Sequence, residues 1–105
     1  MDIQLKKGIL DFCILKVLSS GDSYGYKIIQ DICDYVDISE STLYPILRRL
    51  ELASYLETYK EEHHSRIRKY YKITKLGIEK LNSFQEEIDK LQKTFDFILG
   101  GTNNE

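Results

Sequence analysis

Nothing in this sequence offers a glycine-rich phosphate loop, a nucleophile elbow, or a histidine set beside an acid and a nucleophile, so the common catalytic frameworks are excluded and no enzyme is expected. Cysteine is scarce: Cys13 and Cys33 each lie inside an apolar helical pattern, which suits buried thiols in a reducing cytosol and excludes a disulfide scaffold. Histidine occurs only at His63 and His64. Adjacent residues on a hairpin tip point in different directions, and no second His or Cys cluster has ligand spacing, so neither a metal nor another cofactor is expected. Proline appears once, at Pro45, and the six glycines fall mostly near element ends; that balance excludes a disordered chain and favours a helix-leaning globular one. A long apolar run is missing too. Asp11 and Lys16 interrupt the N-terminal stretch and no small-residue cleavage site follows, so no signal peptide or membrane span is expected and the chain reads as cytoplasmic.

Cations are not in excess. Lys and Arg number 15 against 17 Asp and Glu, a net charge of −2, which excludes a protein that coats nucleic acid through bulk charge. The average conceals an asymmetry: Arg66, Arg68, Lys69, Lys72 and Lys75 follow one another with no acid between them. At 105 residues the chain fits one domain with at most one appended helix.

Residues 3 to 18 carry Leu5, Ile9, Leu10, Phe12, Cys13, Leu15, Val17 and Leu18 around most of a helix, which is therefore largely buried. A turn at residues 19–23 follows, with Ser23 as the cap of a second helix running to about Tyr35. Leu43, Ile46, Leu47 and Leu50 mark a third, amphipathic helix after the start signals from Ser39 to Thr42. Pro45 fits only if Ser41 is the true cap or the helix bends. From Ser54 the period changes from about 3.6 to 2: residues 55–62 and 67–74 read as two strands around a loop at His63, His64, Ser65 and Arg66. Finally, Leu81, Phe84, Ile88, Leu91, Phe95 and Ile98 repeat at three and four in a helix from Lys75 to Leu99 ended by Gly100 and Gly101. At roughly 37 Å that helix is longer than the domain requires, so its far half is expected to meet a partner.

The fold class is mainly α with a small β-hairpin (α+β): a winged helix-turn-helix over 1–75, a dimerisation helix over 76–99 and a disordered tail over 100–105. In the third helix, Ser41, Thr42, Tyr44, Pro45, Arg48 and Arg49 fall opposite the apolar stripe. Hydroxyls near a helix N-terminus bond phosphates or base edges, and arginine grips guanine or phosphate through two donors. Surface arginines alone are commonplace; the basic hairpin two elements later is what points to DNA, because a wing tracks the neighbouring phosphate backbone.

Lys7-Gly8, Tyr24-Gly25-Tyr26-Lys27-Ile28, the block from Ser41 to Glu51 (STLYPILRRLE) and the block from Arg68 to Gly77 (RKYYKITKLG) together resemble the PadR family of bacterial transcriptional regulators over about residues 7 to 77. The single C-terminal helix is similar to the family's short subclass. The resemblance implies a dimeric repressor on an inverted-repeat operator of double-stranded DNA, released by a small molecule or stress signal. Carried over position by position, it implies DNA contacts at Ser41, Thr42, Tyr44, Pro45 and Arg48 and wing contacts at Arg66, Arg68 and Lys69, with Tyr70 and Tyr71 as support. Three departures stand out: Ser54 where the family commonly has glycine, a wing tip of His63, His64 and Ser65 in place of a glycine-rich one, and Ile88 near the place of a drug-stacking tryptophan. Dimer contacts are expected at Leu81, Phe84, Ile88, Leu91, Phe95 and Ile98. The competing reading is a winged helix that serves as a protein-interaction module without sequence-specific DNA binding.

Overall fold

Four helices and one hairpin make up residues 3–100, the part of the chain that the computed structural model describes. In order they are α1 (Ile3–Ser19), α2 (Gly25–Ile32), α3 (Glu40–Leu52), β1 (Leu56–His63), β2 (Arg66–Ile73) and α4 (Lys75–Ile98). This is the expected winged helix-turn-helix with a long final helix; the tail expected to be disordered lies, from residue 101, outside the described residues. Leu10, Ile14, Leu15 and Leu18 of α1 meet Ile28 and Ile32 of α2 and the Leu43, Ile46, Leu47, Leu50 stripe of α3 in one core. Leu56, Tyr71 and Leu81 close it from the hairpin and α4.

Ser23 does not cap α2. The helix begins behind Tyr24, which is extended at φ −129° and makes no side-chain cap bond. Ser23 instead pairs with β2: its amide donates to the Tyr71 carbonyl at 3.1 Å and the Tyr71 amide donates to its carbonyl at 2.7 Å. Its Oγ, on a residue 4% exposed, has no hydrogen-bond partner among the described residues. Nor does α2 reach Tyr35. It stops at Ile32, whose carbonyl accepts from the amides of Tyr35 (2.8 Å) and Val36 (3.1 Å) in a closing turn.

Helix α3 opens at Glu40 behind Ser39, so Ser41 is not the cap. The Ser39 Oγ bonds the hydroxyls of Ser41 (3.0 Å) and Thr42 (3.2 Å) and leaves the helix amides alone. Pro45 is inside the helix, past its first turn, so the Ser41 carbonyl has no i+4 donor. At the other end Ser54 takes the left-handed φ of 67° usually given to glycine. Its amide donates to Glu51 O at 2.9 Å and the Tyr55 amide to Leu50 O at 3.0 Å, the paired bonds of a Schellman motif.

The hairpin turn is shorter than expected. His63 pairs with Arg66, so the loop is His64 and Ser65 alone, both at positive φ (52° and 65°). Such a mirror-image turn matches the twist of the strands and ordinarily draws Asn-Gly. Where β2 ends, Thr74 ties four element ends together. Its Oγ1 donates to Ser54 O at 2.7 Å and accepts from the Gly77 amide at 3.0 Å, and its own amide donates to Tyr55 O at 3.0 Å. Gly77 is glycine because a Cβ there would collide with the Tyr55 carbonyl and lie 2.7 Å from Ile73 Cγ1.

Candidate nucleic-acid interface

Tyr44, Pro45 and Arg48 emerge from α3 beside β2 and line a groove of about 820 Å³ with Glu51, Leu52, Lys69 and Tyr71. Tyr44 is set by α2. A Cβ on Gly25 would lie 2.8 Å from Tyr44 Cζ and 3.0 Å from Cε1, so only glycine lets the phenol rest there. Ser41, Thr42, Tyr44, Pro45 and Arg48 all reach solvent, Thr42 away from this groove beside Cys33, Asp37, Ile38 and Ser39, and Arg48 and Arg66 form no ion pair among the described residues. This combination of hydroxyls, a phenol and an unengaged guanidinium can bond phosphate oxygens and base edges.

The other three cations expected at the DNA, Arg49, Lys69 and Arg68, have protein partners. Arg49 turns toward α1 and grips Asp11 through two nitrogens, each 2.8 Å from a carboxylate oxygen; that hydrogen bonding raises its pKa further above the usual arginine value. Lys69 sits 3.8 Å from Glu51 Oε1 and 5.4 Å above the Tyr71 ring, while Glu51 also accepts from Thr58 Oγ1 at 3.2 Å. Burial pushes the Tyr71 phenol up, keeping it neutral beneath that pair. Arg68 lies over the Tyr24 ring, 4.0 Å from its centroid.

Sequence reasoning missed the residues that brace the hairpin. The Tyr59 hydroxyl donates to Asp22 Oδ2 at 2.7 Å, and that bond is the main reason its pKa is pushed up to about 12. Tyr59 stacks on Tyr70 and Tyr24 meets Tyr70 edge-on, with centroids 5.5 and 5.6 Å apart. The Tyr24-Gly25-Tyr26 motif was visible in the sequence. Its partners, 37 residues away in the case of Asp22 and Tyr59, leave no local signal.

Along α4 the apolar repeat divides in two. Leu81 is buried in the core, Phe84 stacks on Phe12 with centroids 3.7 Å apart and planes 5° off parallel, and Ile88 is half-buried. Beyond them Leu91, Phe95 and Ile98 are exposed by 44, 54 and 67%. Ile9, Phe12, Tyr35, Phe84 and Ile88 line an apolar groove of about 730 Å³ between α1, α2 and α4. Cys13 also faces it, its thiol pKa pushed up by burial. Among the described residues no group of three or more His, Cys, Asp and Glu side chains is placed to hold a metal ion, and no helix is long and apolar enough to cross a membrane.

Residues 14–83 match a family model described as the transcriptional regulator PadR-like family. A transcriptional regulator from Clostridium thermocellum is 34% identical, with a TM-score of 0.81 over 89% of this chain and 95% of that one. A PadR-like transcriptional regulator from Bacillus cereus is 30% identical, with a TM-score of 0.83 over 94% of this chain and 99% of that one. Bacillus subtilis PadR, solved in complex with operator DNA, is 22% identical with a TM-score of 0.69 over 73% of this chain and 46% of that one; at that identity the likeness is one of fold.

Proposed function

The chain belongs to the PadR-like family of transcriptional regulators, and from that premise we propose that it is a dimeric cytoplasmic repressor that reads an inverted-repeat operator. Family membership favours regulation over the interaction-module reading. Two copies, joined along Leu91, Phe95 and Ile98 with Phe84 and Ile88 at the margin, present two α3 helices to successive major grooves, about 34–36 Å apart. Ser41, Thr42, Tyr44, Pro45 and Arg48 meet base edges and phosphates, and Arg66 at the wing tip meets the flanking backbone. A small-molecule or stress signal that changes the separation of the two helices releases the DNA.

The observation that carries this reading is the outward face of α3, where Tyr44 and Arg48 stand beside β2 and the Arg48 guanidinium forms no ion pair among the described residues. Likeness of fold to a regulator solved on its operator supports the same docking. The test is duplex binding across a salt series, on DNA enriched from a random pool by the full-length protein. Wild-type affinity is expected to fall steeply with salt. Arg48→Ala is expected to lose roughly tenfold or more and to lower the salt slope by about 1. Failure of the wild-type protein to enrich or bind any duplex at low salt overturns the reading.

A further inference from the structure

The last three residues before α2, together with the first residue of α2, touch both DNA-facing elements. Asp22 accepts from Tyr59 of β1, Ser23 pairs backbone to backbone with Tyr71 of β2, Tyr24 lies against Tyr70 and beneath Arg68, and Gly25 supports Tyr44 of α3. Alternation along an extended segment explains the division: Ser23 turns inward with its partner Tyr71, while Asp22 and Tyr24 share the outer face of the hairpin with Arg68 and Tyr70. The result is a continuous row across three strand-like segments, running from Asp22 through Tyr59, Tyr70 and Tyr24 to Arg68. On the inner face Glu51 holds Thr58 and Lys69. A two-stranded hairpin is marginal alone, so these contacts on its two faces decide where it points.

We infer that Asp22, Tyr24 and Tyr59 are positioning residues for DNA binding: they hold the wing at a fixed distance from the recognition helix, and Arg68 works through the Tyr24 ring as part of that brace. The inference rests on the DNA-binding reading above. Two elements that must engage one duplex together lose affinity when their relative placement has to be ordered at the moment of binding. Because Tyr24 and Gly25 are consecutive, the same short stretch fixes the wing on one side and Tyr44 on the other. With its pKa raised to about 12, the Tyr59 hydroxyl keeps its proton and remains a donor throughout the physiological range.

The experiment uses the full chain and the duplex enriched by the wild-type protein, with affinity, hydroxyl-radical footprints and thermal melts recorded for Tyr59→Phe, Asp22→Ala, their combination, and Tyr24→Leu. Tyr59→Phe and Asp22→Ala are each expected to weaken binding about fivefold and to lose protection at the flanks of the site while its centre stays protected. Their combination is expected to do no more than either alone, since both remove one bond. Tyr24→Leu leaves every cation of the chain in place and is expected to uncover the same flanks by freeing Arg68. Wild-type footprints from these variants, additive losses in the combination, or a uniform fading of the whole footprint in step with a lowered melt would each overturn the inference. Those outcomes leave the DNA-binding reading intact; only a wild-type chain that enriches no duplex removes both.

Discussion

Ser54→Gly is expected to stabilise the protein. At φ 67° the Ser54 Cβ crowds the backbone, which costs an L-residue about 1–2 kcal/mol. Glycine removes that strain but loses about 0.5–1 kcal/mol more chain entropy on folding. The hydroxyl makes none of the bonds at this helix end; the amide to Glu51 O and the carbonyl from Thr74 Oγ1 are main-chain groups that glycine retains. Taken at the centre of both ranges, the balance is a gain of about 0.7 kcal/mol, or roughly 3–6 °C for a domain of this size. Thermal unfolding followed by circular dichroism at fixed protein concentration measures it, with Ser54→Val as the opposing control, since a branched Cβ tolerates a positive φ worst. A glycine variant that melts at or below the wild type would show that this position is not left-handed in solution and that the Schellman geometry is wrong.

Two further outcomes follow from the same geometry. A double-mutant cycle of Asp11→Ala and Arg49→Ala in urea is expected to give a coupling of about 0.5–1 kcal/mol, at the favourable end for an exposed pair because the contact is two-pronged; Arg49→Ala is expected to change duplex affinity less than Arg48→Ala does. Leu91→Glu alters a side chain with little protomer packing, so sedimentation is expected to show a folded monomer, and duplex affinity is expected to fall with loss of the second recognition helix.

The helical stripes and the change of period at Ser54 were legible because each is local: Leu43, Ile46, Leu47 and Leu50 mark their own buried face without reference to anything else. The ends of elements were harder. Ser23 has the chemistry of a helix cap, and only the approach of Tyr71, 48 positions later, turns it into a strand residue. His64 and Ser65 hid a two-residue turn because neither is the residue such a turn prefers, so four loop residues were read where two suffice. The candidate site was legible as a set of residue types, but not as a division of labour. Arg48 and Arg49 are indistinguishable in sequence, and it is Asp11, on another helix, that separates them. Arg68 likewise reads as a phosphate ligand until Tyr24 is seen beneath it.

The knot at Thr74 has a consequence for how such a chain can change over evolutionary time. Because β1 leaves and β2 returns at one point, with Ser54, Tyr55, Thr74 and Gly77 within bonding distance of one another, the span between the end of α3 and the start of α4 does not depend on hairpin length. Residues beyond the Glu61 and Arg68 pair can be lengthened, trimmed or exchanged in matched pairs without disturbing the helices. The wing is in that sense a replaceable part on a fixed mount, and its reach along a duplex can be retuned by insertion and deletion as readily as by point substitution.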